Sequence, residues 1–204
     1  MAGKFGVASL TAAMLEEGAG SRSSLEIADA VDFLGADLNV TTGSDSSAVR
    51  LHVPVARVAD ALPIMADVAL RPTFPGAEIE RLRTERLTNI LQARADPATI
   101  NTVAFARVLC GPTYRYGTPG AGTAVSLRSL TAADLRAFYA TAFQPRNAAL
   151  LVAGDVTASK VLPLLEASFG RCAASAPAPA PARLPDAPQH PQRVIYLVDK
   201  PGAP

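Results

Sequence analysis

A proline-rich stretch near the C-terminal end limits where this chain can build a folded core. Six prolines lie between Pro177 and Pro191, several of them alternating with alanine. Because proline fixes the backbone and lacks an amide donor, this composition favours an extended, semi-rigid spacer. We therefore expect a main domain over residues 1–172, a linker over 173–192, and a strand beginning at Arg193 in the remaining residues, 193–204.

The composition is that of an ordinary globular protein, with 49% hydrophobic and 18% charged residues. A formal net charge of +1, with only 5% aromatic residues, argues against a nucleic-acid partner. No window approaches the roughly 18 apolar residues that a membrane-spanning helix needs. The first residues, Met1–Phe5, lack the apolar core of a signal peptide. The compartment is therefore not predicted from composition.

Apolar spacing and cap residues predict helices and strands in alternation. Ser23 and Glu26 form a capping box for a helix that Gly35 should end. Alternating apolar residues predict an antiparallel hairpin, with strands at 38–42 and 49–55. The apolar run 148–153 predicts a buried strand, and the glycines and prolines of 111–126 predict an irregular loop. Further helices are expected at 58–69 (with a kink at Pro63), 77–95, 98–110, 131–143 and 157–169.

The segment Gly6–Gly18 carries the clearest functional signal. Positions 9, 12 and 13 share one face of a helix. Two histidines and a glutamate at this spacing can bind zinc and supply a general base. Here the three positions are Ser9, Ala12 and Ala13. A hydroxyl and two methyl groups can perform neither task.

The segment nevertheless resembles the first helix of the pitrilysin/insulinase family of inverted zincins, which carries a frame similar to G-x-A-H-x-x-E-H-M-x-x-x-G. The family's histidines correspond to Ser9 and Ala13, and its glutamate to Ala12. The third zinc ligand of the family lies on a later helix that ends before an Asp-Pro. The resemblance places that position at Thr88 or Asn89, with Glu85 about one turn away.

Other landmarks similar to the family extend over nearly the whole chain: Ser23–Asp29, Leu34–Ala36, Tyr116–Pro119 and Asp199–Gly202. The resemblance implies an α+β fold in which helices pack on a mixed, largely antiparallel sheet, as in pitrilysin and LuxS-like metallohydrolases. It also implies that two N-terminal strands are absent and that the strand from Arg193 opens a following, truncated domain over 193–204. The chain thus resembles a bacterial fragment cut at both ends.

The function implied by the resemblance is that of a non-catalytic half of a zinc metallopeptidase, most like the third quarter of the whole enzyme. Such a half completes the chamber in which a zinc-bearing partner half, fused or separate, receives unfolded peptides. No cofactor is expected in this chain, and zinc is expected only in the partner. A periplasmic or cell-envelope location is compatible with the resemblance. The alternatives are a structural subunit similar to the core proteins of the respiratory cytochrome complex, and a peptide-binding module without proteolysis.

Other candidate residues have structural explanations. The pair Arg115-Tyr116 is similar to a substrate clamp of the family, but adjacent residues of an extended chain point apart. The glycines of 117–122 favour a turn over a phosphate site, because no lysine accompanies them. His52 should point away from the apolar face of its strand. The adjacent carboxylates of Glu16 and Glu17 are expected to be solvated.

Overall fold

The computed structural model describes residues 4–112, 114–172, 186, 192–197, 199 and 202. Helices and strands mostly follow the predicted order. The helices are α1 (Val7–Ala13), α2 (Ser24–Phe33), α3 (Val58–Leu70), α4 (Gly76–Ala93), α5 (Pro97–Cys110), α6 (Ala124–Ser129), α7 (Ala132–Ala142) and α8 (Ala158–Phe169). The strands are β1 (Gly18–Ala19), β2 (Arg22–Ser23), β3 (Asp37–Thr42) and β4 (Ser47–His52).

One apolar core joins helices that are far apart in the sequence. Leu10 of α1, Val68 of α3, Leu127 of α6 and Leu135 of α7 are fully buried. They belong to the same cluster of packed side chains as Ile79 of α4. In this core α1 packs against α7 and α4 packs against α6. The arrangement confirms the predicted α+β domain, in which helices supply most of the buried surface.

The predicted start of α2 is confirmed. The backbone N–H of Ser23 donates to the Glu26 carboxylate at 2.8 Å, and the N–H of Glu26 donates to the Ser23 hydroxyl oxygen at 3.4 Å. This reciprocal pair satisfies two backbone donors that an uncapped helix would leave free. Ile27 and Val31 then place the apolar face of α2 in the core.

The predicted hairpin is also confirmed. Strands β3 and β4 pair antiparallel from Asp37 opposite His52 to Thr42 opposite Ser47. The second strand ends at His52 rather than Val55, because Pro54 has no N–H for a ladder hydrogen bond. Strands β1 and β2 form another antiparallel pair. The described strands thus form two small antiparallel sheets of two strands each.

The prediction of an irregular loop over 111–126 is wrong in its last part. Helix α6 begins after Thr123, whose hydroxyl oxygen accepts the backbone N–H of Ser126 at 3.1 Å. The glycines and prolines that predict a loop end at Gly122. Leu127 lies beyond them and is fully buried in the core. A capping box and one apolar contact therefore suffice for a short helix.

The predicted buried strand at 148–153 is not present. These residues have no ladder hydrogen bonds, and Leu151 is 92% exposed. Apolar composition favours burial in a sheet, but a strand also needs a neighbour to pair with, and no described strand lies beside this run.

The segment from Arg193 to Leu197 also forms no strand, and Leu197 is 92% exposed. The predicted linker, 173–192, lies outside the described residues except for Asp186 and Gln192. The domain boundaries at 172 and 192 therefore stay predictions.

Candidate functional site

The candidate site is the face of α1 on which the family would carry its zinc ligands. Gly6 caps this helix in a left-handed conformation, with φ of 86°. Ala12 is buried, with 2% of its surface exposed, whereas Ser9 and Ala13 are half-buried. Since both alanines present only methyl groups, Ser9 is the one residue of the three with a polar side chain.

Ser9 binds two neighbouring segments through one hydroxyl group. Its Oγ donates to the carbonyl oxygen of Gly120 at 2.8 Å and lies 3.2 Å from the carbonyl oxygen of Gly6. The same Oγ accepts a hydrogen bond from Nη1 of Arg86 on α4, also at 2.8 Å. At the position where the resemblance places a zinc-binding histidine, this chain has Ser9, whose hydroxyl is hydrogen-bonded to protein groups.

Arg86 is the residue of α4 that reaches α1. Its Nη2 donates to the backbone carbonyl of Ser9 at 2.8 Å, in addition to the bond from Nη1. Among the described residues, no carboxylate oxygen lies within the 4.0 Å of its guanidinium that an ion pair requires. Burial lowers the pKa of Arg86, and the nearby charge of Glu85 opposes that effect. Arginine nevertheless stays protonated at physiological pH, so a positive charge faces α1.

The residues predicted for the third ligand position do not make this contact. The Thr88 hydroxyl donates to the carbonyl of Thr84 in its own helix at 3.0 Å. Asn89 and Glu85 are exposed, and Glu85 lies 3.7 Å from Arg81. The structure therefore brings Arg86, rather than Thr88, opposite Ser9.

The sequence contains a signal for Arg86 that the spacing argument misses. The inward positions of α4 include Ile79, Leu82 and Ile90, and Arg86 falls on the same stripe at helical spacing. A charged residue on the buried stripe of a helix indicates a specific polar contact, because burying it alone would be costly.

A glycine-rich turn closes over the start of α1. The backbone N–H of Gly122 donates to the carbonyl of Pro119 at 2.9 Å, as expected for a structural turn. A Cβ on Gly6 would lie 2.6 Å from the carbonyl oxygen of Ala121. The turn thus packs on α1 by direct backbone contact, which places the Gly120 carbonyl within reach of Ser9.

The pair Arg115 and Tyr116 binds within this chain. The Tyr116 hydroxyl lies 2.8 Å and 2.9 Å from the two carboxylate oxygens of Asp45, and Arg115 Nη1 lies 3.2 Å from the same carboxylate. Asp45 is in the turn between β3 and β4, so both residues fix that turn. His52 is exposed, as predicted.

The donor groups at this site do not fit a zinc ion. Zinc sites in proteins use histidine, cysteine or carboxylate ligands. Here the facing groups are a serine hydroxyl, a methyl group and a guanidinium, whose positive charge repels a cation. Across the described residues, no group of three or more His, Cys, Asp and Glu side chains could hold a metal ion. The expectation that the chain binds no zinc stays a prediction.

An α+β domain with this arrangement of helices and strands has a metallopeptidase-like fold. Residues 3–109 match the family Insulinase (Peptidase family M16), and residues 129–204 match the family Peptidase M16 inactive domain. The chain therefore belongs to peptidase family M16, as its first helix indicated.

Relatives of known sequence or structure agree with this assignment. An uncharacterized zinc protease of Mycobacterium leprae is 27% identical over 157 residues, which cover 77% of this chain and 35% of that protein. The crystal structure of a peptidase M16 inactive domain from Pseudomonas fluorescens has a TM-score of 0.82 and 27% identity, covering 91% of this chain and 45% of that one.

The periplasmic protease PqqL of Escherichia coli shares the fold, with a TM-score of 0.76 and 21% identity over 88% of this chain and 20% of that one. This chain spans 34% to 39% of the lengths of the curated relatives that it matches.

Proposed function

We propose that this chain is part of the non-catalytic half of a pitrilysin-type zinc metallopeptidase. In this role it forms a wall of the chamber in which a zinc-bearing half, fused or separate, cleaves unfolded peptides. The observation that carries the proposal is the contact between Arg86 and Ser9, because a protein cation there would oppose a metal ion on the helix face that the resemblance assigns to the family's zinc ligands.

The chemistry of peptide hydrolysis supports a non-catalytic role for this chain and a catalytic role for the zinc-bearing half. A metallopeptidase needs a metal-activated water and a general base. The first helix offers neither, since Ala12 stands where the base would be. What these residues can do is keep α1, α4 and the turn at 119–122 in a fixed arrangement, so that a rigid surface faces the peptide.

The relatives support the same proposal. Those found by sequence are named zinc proteases, and the matched region is a minor part of their length. The unmatched part of such proteins is therefore long enough to contain a zinc-bearing half. The fold shared with the periplasmic PqqL supports a periplasmic or cell-envelope location. No helix in the described ranges is long and apolar enough to cross a membrane.

The test is reconstitution with an M16 polypeptide from the same genome that retains the His-x-x-Glu-His helix. Cleavage of a quenched fluorescent peptide would be followed with this chain alone, with the partner alone, and with both. We expect no cleavage by this chain with added zinc, and chelator-sensitive cleavage by the mixture above that of the partner.

Three outcomes bear on the proposal differently. Chelator-sensitive cleavage by this chain alone, with contaminating protease excluded, would contradict it. A stable complex that never gains activity would favour a structural subunit instead. Failure to form any complex with the partner, measured by size-exclusion chromatography, would remove the support for a shared chamber.

A further inference from the structure

A shallow, open groove lies between α2 and the start of α3, and no residue of α1 is among its lining residues. Its volume is about 670 Å³. Leu34 and Ile64 are among the lining residues and are 8% and 5% exposed, so they form an apolar floor that belongs to the core. A groove with such a floor can receive apolar side chains from another molecule.

Phe33 stands at the side of this groove and is unusually exposed. Its exposed fraction is 81%, and it is the last residue of α2. Leu25, at the other end of α2, is 68% exposed. Large aromatic side chains at the edge of an apolar groove are typical anchors of protein interfaces, because they bury a large area when a partner binds.

The charged residues around the groove are mostly acidic. Glu26, Asp29 and Asp60 line it, and Arg57 is the basic residue among the lining groups. Arg57 lies 3.5 Å from Asp60, so those two charges largely cancel. Glu26 and Asp29 remain as negative charge beside Phe33.

The sequence of α2 has the same character along its whole length. The helix reads SLEIADAVDF and contains no lysine or arginine. Hydrogen bonds from the Ser23 backbone and side chain lower the pKa of Glu26, so that its carboxylate is ionised at neutral pH. The groove therefore combines an apolar floor, an exposed aromatic ring and an excess of negative charge over positive charge among its lining residues, although Arg22 lies near Glu26.

We propose that this groove is a docking site for a partner polypeptide segment that carries arginine or lysine beside apolar side chains. The apolar side chains fill the floor and cover Phe33, while the basic groups meet Glu26 and Asp29. Complementary charge of this kind favours the correct partner and speeds its association. The proposal does not depend on the peptidase-related role proposed above.

A second copy of the chain is a poorer occupant of the same groove. In a symmetric dimer the same patch meets itself, so the acidic face of one α2 would oppose the acidic face of the other. Like charges placed opposite one another across an interface oppose association. The charge pattern therefore favours a different, basic partner segment.

The test uses the 204-residue chain and a labelled amphipathic peptide with three arginines and three leucines at helical spacing. Fluorescence anisotropy should detect binding with a Kd on the order of 10–100 µM. The affinity should fall about tenfold for Phe33→Ser, a loss of about 1.4 kcal/mol. It should also fall for Asp29→Asn and at high salt, because screening weakens exposed charge contacts.

Matched variants keep the test specific. Phe105→Ser removes another exposed phenylalanine, 64% exposed on α5, and Asp155→Asn removes an exposed carboxylate outside the groove. Neither should change the affinity, and a peptide with glutamates in place of the arginines should not bind. No binding of the basic peptide at about 200 µM protein, well above the expected Kd, or equal losses in both phenylalanine variants, would overturn the proposal. So would a dimer that dissociates on Phe33→Ser, because the groove would then belong to a second copy.

Discussion

The backbones of Gly6 and Gly122 are in direct contact, since a Cβ built on Gly6 would lie 2.9 Å from the Cα of Gly122. Both residues have positive φ, 86° and 88°. Gly6 caps α1, and Gly122 ends the turn whose Gly120 carbonyl accepts the Ser9 hydrogen bond. The geometry of α1 and its neighbouring turn thus depends on two positions where a side chain does not fit.

We expect Gly6→Ala and Gly122→Ala each to lower the free energy of unfolding by about 2–4 kcal/mol. The left-handed backbone contributes about 1–2 kcal/mol of this cost, and the backbone clash contributes the rest. Gly120→Ala is the matched control in the same turn, because nothing lies within 4 Å of its Cβ position. Urea denaturation measures all three variants, and an equal loss in the control would contradict the explanation.

The sequence predicts well those features that depend on neighbouring residues. The capping box at Ser23 and the antiparallel pairing of the hairpin strands follow from local patterns, and the structure contains both. That Ser9, Ala12 and Ala13 share one face of α1 is also visible in the sequence, because spacing within one helix is local.

Features that depend on distant segments are predicted poorly. The run 148–153 reads as a buried strand, but no described strand pairs with it. The resemblance places the third ligand at Thr88, whereas it is Arg86 of α4 that hydrogen-bonds to Ser9. Glu16 is expected to be solvated, yet its Oε1 is buried with no hydrogen-bond partner. Each of these depends on which elements pack together.

Glu16 should make the stability of the chain depend on pH. Burial of the carboxylate raises the pKa of Glu16. The hydrogen bond from the Val40 backbone N–H lowers that pKa, and the negative charges of Glu17 and Asp37 raise it further. A carboxyl whose pKa is higher in the folded state destabilises the fold when ionised, and this penalty disappears as the pH falls through the folded pKa.

Glu16→Gln should therefore unfold at a higher urea concentration than the parent chain at pH 7, with the difference shrinking toward pH 4. Glu17→Gln is the paired control, because Glu17 lies 2.5 Å from Arg81 and its replacement removes an ion pair. That variant should be less stable at pH 7. A Glu16→Gln chain that is less stable at pH 7 would contradict the inferred burial penalty.

Thr11 offers a site for stabilisation. Its side chain is fully buried on α1, and its hydroxyl oxygen has no hydrogen-bond partner. Thr11→Val keeps the shape and removes the unsatisfied group, so we expect a gain of about 1 kcal/mol. The same change at Thr131, whose hydroxyl oxygen accepts the Asp134 N–H, should instead cost about 0.5–2 kcal/mol. Thermal denaturation distinguishes a gain at one threonine from a loss at the other.

The last prediction concerns zinc. Ser9→His and Ala13→His together restore two imidazoles on one face of α1, but the positive charge of Arg86 would remain opposite them. That variant should retain far less than one equivalent of zinc after dialysis. Adding Arg86→Glu replaces the cation by a third ligand, and zinc should then bind in about one equivalent, since a site with three protein ligands needs all three.

A second variant tests which residue of α4 is the third ligand. It keeps both histidines and introduces the carboxylate at Thr88 instead of at Arg86. A chain with the two histidines, Arg86→Met and Thr88→Glu lacks the cation but has its new carboxylate on the exposed side of α4, so it should not hold zinc. Ala12 stays unchanged in every variant, because it is 2% exposed and a buried glutamate there could disrupt the fold. Metal analysis would measure the zinc content of each variant, and circular dichroism would show that the variant is folded. If the chain with Thr88→Glu held zinc and the chain with Arg86→Glu did not, the family's third position would be Thr88. In that case the contact between Arg86 and Ser9 would lie beside the position of the family's zinc site and not within it.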